Sequence, residues 1–158
     1  MRTVLLAAIL SGSALPVATA PAFAQLESVP DQTRDWAQKQ IENFVDVWSR
    51  DGGVTMDSVA RLYAPRVIYY GKNMSRAAIL ADKRAYIAHW PRRRYEIAPG
   101  SVDVSCTQGN AMCRATAVMN WTRADRAGRV VRGASRMTFL VSRDSGGKIV
   151  RESAVALR

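Results

Sequence analysis

Histidine, cysteine and lysine are scarce in this chain. Its 158 residues hold one histidine, two cysteines and four lysines, against 19 arginines. One histidine and two cysteines leave too few ligands for a closed zinc site, and no metal is expected. Two cysteines also exclude a disulfide-dense scaffold, and 10 glycines and 6 prolines exclude a collagen-like chain. No Gly-x-Gly-x-x-Gly, no P-loop and no Gly-x-Ser-x-Gly elbow occurs. No nucleotide cofactor or serine nucleophile is therefore implied, and the expectation is no cofactor at all. Repeats, heptads and low-complexity blocks are missing too. Past the N-terminus, no apolar run is long enough to cross a membrane.

What remains is the composition of a folded chain. Hydrophobic residues make up 48% and charged residues 23%, enough to bury a core. The length fits one domain. Its first 24 residues read as a secretory signal peptide: Arg2, an apolar run from Val4 to Leu10, then the small-residue pattern Ala22-Phe23-Ala24 before Gln25. No cysteine follows that site, which argues against a lipid anchor. Cleavage leaves 134 residues at a net charge of +9, down from +10 because only Arg2 departs. The expected product is soluble and periplasmic or secreted. Residues 25–32 read as a linker with Pro30, and residues 33–158 as the domain.

The cysteines agree with export. Cys106 and Cys113 flank a loop with the turn signal Gly109-Asn110, between two β-like segments. A disulfide across that hairpin is expected in an oxidising compartment. A redox pair is the alternative.

Helical spacing of Trp36, Ile41, Phe44, Val45 and Trp48 predicts a helix over 33–50, with Asp31 or Thr33 as its cap and Gly52-Gly53 at its end. A short helix follows at 56–63, stopped by Pro65. A β-rich run spans 66–70, closed by Gly71. A third helix covers 75–89, and Pro91 ends it. The pattern then changes to period two, with strands expected at 93–98, 102–106, 113–123, 130–143 and 148–157. Ala115, Ala117, Met119 and Trp121 share one face of the third of these, while Val131, Met137 and Phe139 share a face of the fourth. One apolar and one mixed basic face describe an antiparallel sheet covered on one side. The fold class is α+β, with N-terminal helices packed on a curved antiparallel sheet.

With Leu62-Tyr63-Ala64-Pro65-Arg66-Val67 entering the first strand, this order of elements resembles the NTF2-like (SnoaL-like, ketosteroid-isomerase-like) superfamily, whose fold is an α+β cone. Tyr69-Tyr70-Gly71-Lys72, Asp82-Lys83, Tyr86, Trp90-Pro91, Arg94-Tyr95 and Pro99-Gly100-Ser101 resemble an exported proteobacterial subgroup, similar domains of which are also appended to caspase-like peptidases. The resemblance spans about residues 31–157. It implies any of isomerase, dehydratase, hydrolase, cyclase, adaptor or ligand-binding function, since function varies widely on this fold. It also implies homodimerisation through the sheet.

Isomerase-like members place a carboxylate base near the end of the first strand. Here Val67-Ile68-Tyr69-Tyr70 offers none. Acid–base work would fall to His89 or Asp103. His89 sits in the last turn of a helix, where a cation complements the helix dipole without any catalytic duty. Asp103 alternates with Val102 and Val104, so it points away from their face. Lys83 is the unusual residue. It falls within the apolar stripe Ile79, Leu80, Tyr86, Ile87 and Trp90. Lys83 could project into the cone and hold an anionic group, snorkel to water, or pair with Asp82 or Asp46. Tyr69, Tyr70, Tyr86 and Trp90 could line the same cavity or simply fill the core.

Basic charge is the last signal. Residues 114–158 carry +7, against +2 for residues 25–113. Arg123, Arg126, Arg129, Arg132 and Arg136 crowd one hairpin. They form either an anion-facing surface for the cell envelope or a solvated face reflecting an arginine-rich coding bias. Aromatics do not alternate with them as nucleic-acid binding requires. Three readings stand: a non-catalytic exported domain binding a small ligand or a protein partner, an isomerase-, dehydratase- or hydrolase-type enzyme in the same cavity, and a binder of anionic envelope surfaces.

Overall fold

Residues 32–158 are described by the structure, a computed structural model, with side chains from Asp35 onward. The expected signal peptide, most of the linker, and the capping roles of Asp31 and Thr33 lie outside what is described. Helix α1 (Gln32–Ser49) leads into α2 (Met56–Leu62). Strands β1 (Tyr63–Tyr69) and β2 (Lys72–Ser75) precede α3 (Arg76–His89). Then come β3 (Arg92–Ile97), β4 (Asp103–Cys106), β5 (Met112–Ala124), β6 (Val130–Ser142) and β7 (Lys148–Leu157).

The helices form where the sequence places apolar side chains at helical spacing. Ala37, Ile41, Phe44 and Trp48 make one buried stripe on α1. At the start of α2, Thr55 accepts from the Ser58 amide, and the Ser58 hydroxyl accepts in turn from the Thr55 amide. Ser75 caps α3 by accepting from the Ala78 amide at 3.3 Å. All three helices share one hydrophobic core with the inward face of the sheet. No helix among the described residues is long and apolar enough to cross a membrane.

The sheet runs β2-β1-β7-β6-β5-β3, with β4 also paired to β5. It is an α+β cone, but the sheet is mixed, because β1 pairs with β7 in parallel. An all-antiparallel reading missed this because β1 and β7 are far apart in sequence, with no local turn linking them. The first strand also starts earlier than expected. The helix ends at Leu62, and Pro65 lies within β1 instead of before it. Strand β2 was not legible, since Lys72–Ser75 is only four residues long. It is reached by the two-residue turn Tyr70-Gly71, whose φ values of 47° and 81° suit a hairpin.

Cys106 and Cys113 stand directly opposite on β4 and β5, with Cα atoms 4.0 Å apart, joined as a disulfide. The expected pairing across the hairpin is present.

Two irregularities aim the site. On β7, Leu140 of β6 faces Arg151 while Val141 faces Ile149, so Val150 is an extra residue. Such a bulge reverses the alternation beyond it. Ile149 and Glu152 are therefore both buried, although three positions apart. On β5 no such break occurs, and Met119, Trp121 and Arg123 stay on one side.

Candidate functional site

The helices do not fill the concave side of the sheet. A cavity of about 550 Å³ remains, and it opens to solvent. Phe44 and Trp48 of α1 form one wall, with Asp82 and Tyr86 of α3 beside them. Tyr95, Met119, Trp121, Arg123, Ser135 and Met137 come from the sheet. Tyr69, Tyr70, Lys72, Met74, Glu152 and Ala154 close the far side. Aromatic and methionine side chains dominate, with a few polar groups set among them, as ligand cavities usually show.

Below this cavity lies a buried ion pair. Lys83 Nζ is 3.6 Å from Glu152 Oε1, and the two side chains are 2% and 1% exposed. The Tyr63 hydroxyl donates to the other Glu152 oxygen. Lys83 has no hydrogen-bond partner among the described residues. Aromatic faces surround it instead: Nζ is 3.9 Å from the Trp48 ring centre, 5.0 Å from Phe44, 5.1 Å from Tyr69 and 5.4 Å from Tyr63. Each such contact offsets part of the lost hydration, by roughly 1–2 kcal/mol. Desolvation still wins. Burial pulls the Lys83 ammonium down from 10.5 to about 8, against the opposing pull of Glu152 and Asp82. The ammonium is thus mostly charged at neutral pH.

Burial raises the phenols around this pair. Tyr63 is pushed well above 10, first by desolvation and then by the Glu152 charge. Tyr69, which donates to Asp82 Oδ2 at 3.1 Å, is raised by the same two causes. These groups remain protonated donors through the neutral range. Tyr70 sits on the rim, 47% exposed, in the left-handed conformation of its turn.

A second polar cluster sits toward the β3 edge. Arg123 Nη1 donates to the Tyr86 hydroxyl at 2.6 Å. Its guanidinium lies 4.3 Å from the Trp121 ring centre, 4.7 Å from Trp90 and 5.7 Å from Tyr86. The Tyr86 and Tyr95 hydroxyls are 3.1 Å apart. Trp121 is held by an indole N–H bond to Ser135 at 3.1 Å. Gly133, paired with Trp121 across the strands, leaves room for that ring.

The candidate residues scatter. Tyr69, Tyr70 and Tyr86 line the cavity. Lys83 does not reach the lining; it is sealed behind Glu152 and the aromatic rings. Its partner is neither Asp46, which pairs with Arg50 at 2.7 Å, nor Asp82, but Glu152. Trp90 is buried beside the lining, stacked on Arg123. His89 is exposed by a shallow hollow with Asp125 and Arg126, outside the cavity. Asp103 is exposed on β4, opposite Thr116. Arg126, Arg129, Arg132 and Arg136 are exposed, whereas Arg123 turns inward and parts from that group. Glu152 was missed as a site residue. Only the bulge at Val150, invisible to strict alternation, brings it inside.

No protein-family model matches the chain, and no curated protein matches it in sequence. Solved structures do match its shape. A protein from Novosphingobium aromaticivorans, provisionally named an aromatic ring hydroxylase, aligns with TM-score 0.70 at 17% identity, covering 82% of this chain and 92% of that one. A protein of the nuclear transport factor 2 (NTF2-like) superfamily from Salmonella enterica aligns with TM-score 0.64 at 12% identity, covering 80% and 94%. The fold is NTF2-like. A provisionally named dehydratase of the NTF2-like family from Streptomyces avermitilis gives TM-score 0.63 at 16% identity, covering 82% and 99%. Identities this low show the NTF2-like fold alone. The cavity of this chain lies on the concave side of that NTF2-like sheet, and its own residues decide its chemistry.

Proposed function

We propose that this is an exported domain that binds a small, largely apolar molecule in the cone cavity. One observation carries the reading: an open cavity of about 550 Å³ walled by Phe44, Trp48, Tyr69, Tyr95, Met119, Trp121 and Met137. Such volumes and walls are typical of small-molecule sites. The signal-peptide pattern in the sequence is what suggests export. Recovery of a mature form starting at Gln25 from the periplasm or medium would support that part.

Trp48 and Trp121 both report on the cavity by fluorescence. Naphthalene-2-carboxamide, a neutral bicyclic probe, should quench them saturably at one site per chain. Ala154→Phe places a ring into the lumen from the sheet and should abolish the quench. Unchanged binding in that variant would move the site elsewhere.

Glu152 favours a second reading, in which the cavity performs acid–base chemistry. It is a buried carboxylate on the cavity wall, oriented by Tyr63 and Lys83. Its ionised form could take a proton from a carbon beside a carbonyl. Neither His89 nor Asp103 is placed to do so. Deuterium exchange at C1 of 2-tetralone, followed by NMR, separates the readings. Exchange above the solvent rate that disappears in Glu152→Gln supports catalysis; none supports binding alone. Binding of acidic vesicles would test the exposed arginines separately, since an envelope-binding role requires a steep loss of affinity with salt.

A further inference from the structure

Arg123 is a cation without an anion. No carboxylate pairs with it among the described residues, and its Nε is buried without a hydrogen-bond partner. It nevertheless lines the cavity. The other cation on the lining, Lys72, is exposed at the turn between β1 and β2. Arg123 is fixed instead by the rings of Trp121 and Trp90 and by the Tyr86 hydroxyl. A guanidinium held this way has lost its side-chain freedom before any ligand arrives, so less entropy remains to be lost on binding.

The neighbouring phenols sharpen the chemistry. Tyr86 oxygen accepts from Arg123, and Tyr86 and Tyr95 share one hydrogen bond between them. Two phenols with one bond between them leave one O–H hydrogen unspent, whichever way that bond points. The cluster therefore offers a guanidinium fork and a phenol hydrogen, and the Tyr86 oxygen already accepts from Arg123. That set suits a group that only accepts. The far side of the cavity carries Glu152, which would repel an anion there, while Asp82 is held by the Tyr69 hydroxyl. Charge thus gives the cavity a direction.

We infer that Arg123, with Tyr86 and Tyr95, is the carboxylate subsite of this cavity, and that the ligand is an apolar, aromatic-sized molecule bearing a single carboxylate. The inference rests on the cavity being the binding site, as proposed above. The acid binds with its carboxylate at Arg123 and its apolar body against Trp121, Met119, Met137 and Trp48. A single guanidinium matches a monoanion; a phosphate dianion would bring one charge more than the subsite answers. Arg is suited to the task because its planar fork meets both carboxylate oxygens at once.

The test compares naphthalene-2-carboxylate with naphthalene-2-carboxamide, titrated into the full mature chain by tryptophan fluorescence. The carboxylate should bind at least about tenfold more tightly, the scale of one charged hydrogen bond gained. Arg123→Met should remove that preference. Arg123→Lys, which keeps charge and stem, should keep only part of it. Tyr86→Phe should reduce it, and Arg136→Met, at an exposed position of β6 outside the cavity lining, should leave it intact. Equal binding of the two probes to the wild-type protein overturns the inference and leaves the cavity reading standing. So does a preference that survives Arg123→Met or vanishes in Arg136→Met. Failure of both probes to bind, or binding unaffected by Ala154→Phe, overturns the cavity reading and this inference together.

Discussion

Lys83 of α3 and Glu152 of β7 are buried together, 3.6 Å apart, and tie the third helix to the middle of the sheet. Removing one partner leaves a bare charge in an apolar setting, which typically costs about 3–5 kcal/mol. Removing both is far milder, because the aromatic cage can close on an apolar side chain. Lys83→Met and Glu152→Met should each lower the urea midpoint strongly. The double variant should recover most of the loss. Additive losses in the double variant would mean that the pair does not couple these elements.

The same lysine gives stability an unusual dependence on pH. Its folded pKa is lowered to about 8 from 10.5, chiefly by burial. Between those values the unfolded chain holds a proton that the folded chain has released. Stability should therefore rise with pH from about 8 to 10, by at most about 1.4 kcal/mol per unit. Above pH 10 the sign reverses. Tyr63, Tyr69 and Tyr95 are raised in the folded state, mainly by burial, so the unfolded chain loses protons first. Urea unfolding at pH 7.5, 8.5, 9.5 and 10.5 should show the rise and then the fall. The rise should be missing from Lys83→Met/Glu152→Met. A stability flat across pH 8–10 in the wild type would contradict a lysine buried this deeply.

How far the sequence reaches depends on the length scale of each cause. Helix α1 was readable because Ile41, Phe44 and Trp48 carry their own period, and the bridge between Cys106 and Cys113 because seven positions and a Gly-Asn turn define it. Lys83 stood out as polar on an apolar stripe, and its depth in the core matches that signal. Its partner did not stand out. Strict alternation from Ile149 puts Arg151 inside and Glu152 outside, and one extra residue at Val150 exchanges them. Arg123 failed for the opposite reason. Its alternation with Met119 and Trp121 was present in the sequence, but the run of arginines after it suggested a common outward face. Parallel pairing of β1 with β7 has no local signature at all.

The Cys106–Cys113 bridge closes a short loop, and its effect should be modest. In the chain-entropy account such a loop contributes about 2 kcal/mol. Thr107 adds local support, since its hydroxyl accepts from the Met112 amide at 3.2 Å. Cys106→Ser/Cys113→Ser should therefore lower the melting temperature by several degrees and still yield a folded chain. Because the hairpin lies away from Arg123 and Glu152, probe binding in that variant should match the wild type at temperatures where both are folded. A variant that folds but no longer binds would place the hairpin closer to the site than the cavity walls indicate.

Gly133 is the smallest part of the site and one of the least replaceable. It is paired directly with Trp121, and a methyl group there would overlap the indole ring itself. The ring cannot yield freely. Its N–H is bonded to Ser135, and its face supports the Arg123 guanidinium at 4.3 Å. Gly133→Ala should thus cost about 1–3 kcal/mol through overpacking. It should also change the near-ultraviolet circular dichroism, because Trp121 must leave its position. Displacing the ring frees Arg123 to move, so binding of naphthalene-2-carboxylate should weaken more than binding of the carboxamide. Gly133→Ala/Trp121→Leu removes the clash and should regain stability without regaining that preference, since the stacking surface is gone. A Gly133→Ala protein with wild-type stability and an unchanged spectrum would show that Trp121 is not confined between β6 and the cavity.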